Sequence, residues 1–235
     1  MVKKPKSIAV TRFDYIIKNL MDEELNIQGN LNHYSEFDSE GRPLKEIRYT
    51  QEGAFEEMIG YEYDDLGRLK RESYFPEENE LAEEVVYTNS DSGRIIQALK
   101  NYQDGSVDTI DYLYNDAGRL VKKVVTNDEN EVEQTEIFSY ENENLINHET
   151  FDGDGTLIEI PSTVSTSSHQ SRIIRNESGQ EISEEELDEN GEVIMSVKRN
   201  YNSDGRPDEV EVFIDGQGRM ISRHYILKHE YTYFD

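Results

Sequence analysis

YEYDDLGRLKRESYF, from Tyr61 to Phe75, decides how the rest of the chain reads. Tyr61 and Tyr63 fall on one side of an extended backbone. After the intervening DDLG, Leu69, Arg71 and Ser73 fall on one side and Lys70, Glu72 and Tyr74 on the other. Two short strands therefore flank a turn. Asp64 stands three residues before Gly67, where a carboxylate can bind the turn backbone, and glycine supplies the positive φ needed to re-enter the partner strand. DSEG, NDAG, NSDG and DGQG elsewhere follow the same chemistry.

Working outward, glycine or asparagine recurs at 29, 41, 53, 67, 79, 93, 105, 118, 130, 144, 155, 179, 191, 205 and 218. Steps of 12 and 14 alternate, so the unit is a dyad of about 26 residues with two turns. One kind of turn sits at Gly41, Gly67, Gly93, Gly118, Asn144, Gly179 and Gly205. The other sits at Gly29, Gly53, Asn79, Gly105, Asn130, Gly155, Gly191 and Gly218. Only the step from 155 to 179 breaks the rhythm, and PSTVSTSSHQS at 161–171, Ser/Thr-rich and free of acidic residues, accounts for the excess. Turn signals at this spacing predict a meander of antiparallel hairpins.

At the first kind of turn, Phe37, Tyr63, Asn89, Tyr114, Tyr140, Arg175 and Tyr201 stand four residues before the turn residue. Arg42, Arg68, Arg94, Arg119, Leu145, Gln180 and Arg206 stand one after it. The copies YEYDDLGRL at 61–69 and YLYNDAGRL at 112–120 resemble the YD repeat of the Rhs/YD-repeat family, Y-x-Y-D-x-x-G-R-L, and the resemblance covers residues 30–220. It implies an all-β array of hairpins stacked edge to edge. In large relatives such sheets spiral into hollow shells that enclose a toxin or decorate secreted and surface proteins. This chain is too short for a closed shell, lacks a recognisable shell-ending core motif and carries no toxin domain after Asp235, so the repeat architecture is expected without the effector role.

Composition agrees with a thin sheet. Hydrophobic residues make up 34% of the 235, and adding the 15 glycines brings the total to about 40%, below the roughly 45–50% usual for globular domains. Fifteen Tyr and eight Phe argue against a disordered acidic chain. The expectation is an elongated, curved sheet in which Arg and Lys stems covering Tyr rings substitute for a conventional core. Its turn residues Gly41, Arg42, Gly67, Arg68, Gly93, Arg94, Gly118, Arg119, Gly179, Gly205 and Arg206 are read as structural.

The ends differ from the array. Phe13, Ile16, Ile17, Leu20 and Met21 recur at helical spacing, with Thr11 and Asp14 as an imperfect capping box, which predicts a short amphipathic helix over 11–25 covering one end of the sheet. RMISRHYIL and KHEYTYF read as two further strands that leave an exposed edge. The expected organisation is a cap at 1–28, a first hairpin array at 29–160, an inserted loop at 161–171 and a second array at 172–235.

Charge narrows the functional classes. With 51 acidic and 24 basic residues the formal charge is −27, and the pI near 4.5 removes the attraction behind nonspecific nucleic-acid binding and opposes anionic lipid surfaces. Without cysteine there is no disulfide, thiolate nucleophile or Cys-ligated metal. No stretch approaches 18 apolar residues, and the N-terminal basic residues precede no apolar run, so membrane insertion is not expected and the chain reads as cytoplasmic.

Catalytic signals are missing. NYNSDGRPDEVE places Asn200, Asn202, Asp204, Gly205, Asp208 and Glu211 at positions 1, 3, 5, 6, 9 and 12 of an EF-hand-like loop. Asn in first place, Pro207, strand-like flanks and a turn role for Gly205 count against calcium, and no metal is expected. His33, His148, His169, His224 and His229 form no local ligand pair, Ser168 beside His169 is no triad, and no phosphate loop appears. Neither an enzyme nor a cofactor is expected. Tyr61, Tyr63, Tyr112, Tyr114, Tyr140 and Tyr201 recur at equivalent positions and form ladders, either as the packed core or as an aromatic platform for a protein strand or sugar ring.

The expected function is therefore a non-enzymatic protein-binding or scaffold protein, a bacterial-type YD-repeat array with an acidic, tyrosine-lined surface. Its expected partner is another protein with a basic surface, and pairing of two copies through terminal edges is a further expectation. The alternatives are an immunity or antitoxin-like protein neutralising a basic toxin, and a carbohydrate-binding surface module, which would need export.

Overall fold

The computed structural model describes residues 3–17, 25–141, 143–159, 170–216 and 222–235. Among them all regular structure is β, in seventeen strands. These are β1 (Pro5–Ile17), β2 (Leu25–Phe37), β3 (Pro43–Tyr49), β4 (Phe55–Tyr63), β5 (Leu69–Phe75), β6 (Glu83–Asn89), β7 (Ile95–Tyr102), β8 (Val107–Tyr114) and β9 (Leu120–Thr126). The order continues through β10 (Val132–Glu141), β11 (Asn144–Asp152), β12 (Leu157–Glu159), β13 (Gln170–Arg175), β14 (Glu181–Leu187), β15 (Val193–Tyr201), β16 (Pro207–Ile214) and β17 (Arg223–Tyr233).

One turn design joins most of them. Eleven described turns share two backbone bonds, from N of residue i to O of i+4 and from N of i+3 to O of i, as in Asp64 N to Arg68 O at 2.9 Å and Gly67 N to Asp64 O at 2.8 Å. The residue at i+3 has positive φ in each: +77° at Gly67, and 65° at Asn130, where an asparagine takes the left-handed position. The side chain of residue i then accepts the remaining donors. Asp64 Oδ1 takes the N–H of Leu66 at 3.0 Å and of Arg68 at 2.9 Å, and the equivalent oxygens of Asp38, Asn127, Asp152, Asn176, Asp188 and Asn202 do the same.

The chain divides into two units. In the unit formed by Met1–Glu56 and Thr166–Asp235, antiparallel pairing runs β13-β14-β15-β16-β17-β1-β2-β3. In the unit formed by Glu57–Ser165, β4 from Glu57 onward through β12 pair in chain order. Burial is thin throughout. Val10 (9% exposed), Ala98 (0%) and Val212 (8%) are the only buried apolar residues among those described, accompanied by Ser7, Ser35 and Thr150. Most strand residues are half-buried.

Three expectations are corrected. The helix predicted over 11–25 is strand at 11–17, where β1 lies between β2 and β17; the remaining positions, with Leu20 and Met21, fall outside the described residues up to Leu25, which opens β2. Pairing on both sides overrides the helical spacing, since Ile8, Val10 and Tyr15 are β-branched or aromatic residues that a pleated ladder suits. Gly29 is not a turn but the middle of β2, opposite Phe13, and a Cβ there would collide with the Phe13 ring. Asn144 likewise opens β11, paired with Glu141.

The C-terminal edge is also different. Arg223–Tyr233 is one strand, and β1 covers it along nearly its whole length, from Tyr225 opposite Asp14 to Tyr233 opposite Pro5. The two chain ends thus lie beside each other inside the first unit, and the edge available for copy-to-copy pairing at β17 is occupied. The Ser/Thr-rich segment falls outside the described residues except for Gln170 and Ser171, which begin β13.

Two outcomes follow from the turns. Gly118→Ala forces a side chain to φ +77° and into the Arg94 guanidinium, whereas Gly105→Ala meets the same backbone strain (φ +92°) with nothing within 4 Å. Chemical denaturation is expected to show a loss of about 1–2 kcal/mol for Gly105→Ala and a similar one for Gly118→Ala, where the exposed end of the Arg94 side chain can swing aside. The second outcome concerns acid. At Asp64 the Arg68 N–H, and at Asp188 the Glu192 N–H, lead the contacts that hold the carboxyl below its ordinary value of 3.8. Because the folded carboxylate is the weaker base, the unfolded chain binds protons first as pH falls, and this stabilisation is present above about pH 4 and lost below it. Asp64→Asn with Asp188→Asn, which keeps the accepting oxygens, is expected to flatten the acid limb of a stability profile.

Candidate functional site

The ladder register collects the predicted tyrosines of the second unit on one face. Tyr61 lies opposite Glu72, Tyr87 opposite Ala98, and Tyr112 opposite Lys123, which lies opposite Glu136. Glu72 pairs Val85, two residues from Tyr87, and Ala98 pairs Ile110, two residues from Tyr112, so the period of two keeps all of them on the same face. Tyr63, Tyr114 and Tyr140 share it, each two or four residues along its strand. Every one of these rings is half-buried. Tyr201 belongs to the first unit, on β15.

Part of this ladder works as a clip between repeats. Tyr114 Oη donates to Ile95 O at 2.7 Å, Tyr201 Oη to Glu181 O at 2.8 Å and Tyr231 Oη to Pro207 O at 2.7 Å. Asn89 Nδ2 donates to Leu69 O at 2.8 Å, so the amide takes the phenol's place where the aromatic is missing. The acceptor in each case lies two residues after the left-handed glycine of the preceding turn of the first kind, Gly93, Gly179, Gly205 and Gly67 in that order. The residue following that turn adds a second link. Arg68 donates to Ser90 O at 3.1 Å and Gln180 to Gly205 O at 2.9 Å, while Arg94, Arg119 and Arg206 lie over Tyr114, Tyr140 and Tyr231 at 5.7, 5.6 and 5.7 Å. Arg42 and Arg68 turn Nε back onto Asp38 and Asp64 at 2.6 Å.

Charged groups are threaded between the rings. Lys123 Nζ lies 2.7 Å from Glu136, whose other oxygen meets His148 Nε2 at 2.9 Å, and the His148 ring stacks on Phe138 at 4.5 Å. Desolvation pushes the Glu136 carboxyl up, but Lys123 and His148 outweigh it and hold it below the ordinary range. Lys100 pairs with Glu83 at 2.9 Å and lies over Tyr102 at 4.8 Å. Tyr87 Oη donates to Glu72 Oε2 at 2.8 Å; burial first, then that carboxylate, push the phenol well above its ordinary value. Tyr87 therefore remains a neutral donor.

The EF-hand-like positions are spent elsewhere. Asn200 is in β15, Asn202 Oδ1 accepts the N–H groups of Asp204 and Arg206, Asp204 Oδ2 accepts from Tyr233, and Glu211 in β16 meets His224 at 2.7 Å. Asp208 sits on β16 opposite the end of β17 that carries His229, whose imidazole burial pushes below its ordinary pKa despite the Asp208 backbone. No group of three or more metal-ligating side chains converges among the described residues. His33 meets Ser35 at 2.8 Å and His224 stacks on Tyr15 at 4.2 Å, while His169 lies outside the described residues. No helix of the described residues is long and apolar enough to cross a membrane.

Sequence reasoning missed Tyr87 and Glu72. Tyr87 stands six residues before Gly93, as Tyr61 and Tyr112 stand before Gly67 and Gly118, so the period itself pointed to it. Its repeat lacks the second aromatic, Asn89, and so failed the motif.

No protein-family profile matches the chain, and no curated protein is significantly similar to it. Among solved structures, a porin-like protein from Bacteroides uniformis is similar at 12% identity and a TM-score of 0.41, with 97% of each chain covered. The Photorhabdus luminescens Tc holotoxin pore is similar at 12% identity and a TM-score of 0.34, over 80% of this chain and 11% of that one. A TcdB2-TccC3 structure is similar at 15% identity and a TM-score of 0.35, over 85% and 11%.

The clip leads to a direct test. Tyr114→Phe and Tyr201→Phe keep the ring and delete one half-buried donor each, and each is expected to lower unfolding free energy by about 0.5–1.5 kcal/mol in urea titrations. Tyr140→Phe, with no such bond among those described, is the comparison.

Proposed function

We propose that this chain is a YD-type repeat array that works as a non-enzymatic protein-binding scaffold, and that the tyrosine and carboxylate face of the second unit meets a partner rich in Lys and Arg. The repeat copies at 61–69 and 112–120 support the kinship with the Rhs/YD-repeat family. The observation that carries the functional reading is the co-facial placement of Tyr61, Tyr87 and Tyr112 with Glu72. Tyrosine supplies large contact area at low entropic cost and keeps a polar tip, which suits a surface that is half-buried alone and fully buried in a complex. A net charge of −27 steers cationic partners and repels anionic ones.

The test is binding of the purified protein to poly-L-lysine and to dextran by biolayer interferometry. Poly-L-lysine is expected to bind at about 20 mM salt and to weaken steeply toward about 300 mM, as surface charges are screened. Tyr112→Ala is expected to weaken it about tenfold with an unchanged far-ultraviolet circular dichroism spectrum. Binding of dextran instead, or indifference to both salt and Tyr112, contradicts the proposal.

A further inference from the structure

We propose that Glu72, set between Tyr61 and Tyr87, is the anchor of that face: a receptor for one ammonium or guanidinium group, supplied by a Lys or Arg side chain of the partner. The inference rests on the reading that this face meets a basic protein, and it names the point of recognition.

Geometry comes first. Glu72 lies directly opposite Tyr61 in the β4–β5 ladder, where the two Cβ atoms stand about 5 Å apart. Its Oε2 accepts the Tyr87 hydroxyl at 2.8 Å. A carboxylate has about four acceptor sites, so one phenol leaves most of its capacity for a further donor. Tyr87 meets the carboxylate through its hydroxyl and Tyr61 stands across the ladder from it, so aromatic side chains border Glu72 on both neighbouring strands, and a cation held at a carboxylate beside aromatic rings gains from both.

The treatment of other carboxylates in this chain points to the ligand class. On the same face, Glu83 is matched by Lys100 and Glu136 by Lys123 and His148. Glu72 has no Lys, Arg or His within ion-pair distance among the described residues; its described partner is a phenol. At two other described places where a carboxylate and a tyrosine come together, the chain supplies a cation of its own. Arg12 bonds Asp14 at 2.7 Å with its guanidinium 3.8 Å from the centre of the Tyr225 ring, and Lys100 bonds Glu83 at 2.9 Å while lying over Tyr102 at 4.8 Å. Tyr61, Glu72 and Tyr87 bring a carboxylate and two phenol side chains to neighbouring positions of one face. A planar guanidinium can stack on a ring and meet a carboxylate at its edge, as Arg12 does.

The experiment is a two-dimensional amide NMR titration of the intact protein with N-acetyl-arginine-N-methylamide, alongside the poly-L-lysine assay. Shifts are expected to concentrate at residues 61, 72 and 87. Affinity is expected to fall about tenfold in Glu72→Gln, the scale of one charge-assisted bond. It should be unchanged in Glu78→Gln, an exposed carboxylate between β5 and β6. Tyr87→Phe keeps the ring and releases Glu72 from the phenol, so it should bind equally well or tighter. This variant and the shift map decide the matter if Glu72→Gln does not fold. Shifts centred elsewhere, equal affinity in folded Glu72→Gln, or loss of binding in folded Tyr87→Phe overturn the proposal. Poly-L-lysine binding that ignores Glu72 overturns the anchor and leaves the scaffold reading standing. Arginine amide binding that depends on Glu72, without poly-L-lysine binding, keeps the cation site and overturns the scaffold reading.

Discussion

The side-chain oxygen that accepts the turn N–H groups, three residues ahead of a backbone in the left-handed region, is the contact on which the rest of this structure depends. A hairpin turn brings together donors that no strand can satisfy, and a hydrogen bond that meets one contributes about 0.5–1.5 kcal/mol net. Asp or Asn at the first position meets two of them, as at Asp64, and Gly67 supplies the φ that sends the chain back in register. Both requirements are local. Repeating them every 12 or 14 residues sets strand length, and strand length with a period of two sets which side chains share a face.

Such a sheet has little interior, and its cohesion comes from links between neighbouring repeats. The phenol of Tyr114 reaches Ile95 O and that of Tyr201 reaches Glu181 O, while Gln180 reaches Gly205 O and Arg94 lies over the Tyr114 ring. Half-buried ion pairs such as Arg199 with Glu184 at 2.8 Å occupy positions that a thicker protein would fill with aliphatic groups. This explains how a chain with only 34% hydrophobic residues builds seventeen strands among its described residues. The same economy places polar and aromatic groups together on one face.

The turns were legible because their chemistry is contained in five consecutive residues. Where the reading failed, the deciding contact lay far away in sequence. Phe13, Ile16 and Ile17 have helical spacing, yet β1 is a strand because β2 and β17 both pair with it. Gly29 has the spacing of a turn, but what requires glycine there is the ring of Phe13 across the ladder. At the candidate site, Tyr61 and Tyr112 were visible as repeats of one motif. The bond from Tyr87 to Glu72 was not, since it joins residues 15 apart on neighbouring strands.

By itself the sequence determined an all-β chain of antiparallel hairpins and the residues that make most of the described turns, because backbone sterics and side-chain capping act within a few residues. Tertiary structure alone decided that the two chain ends pair with each other, that the array divides into two units, and which carboxylate each tyrosine meets. Those outcomes depend on register between strands. A shift of one residue would exchange the two faces without altering a single turn motif.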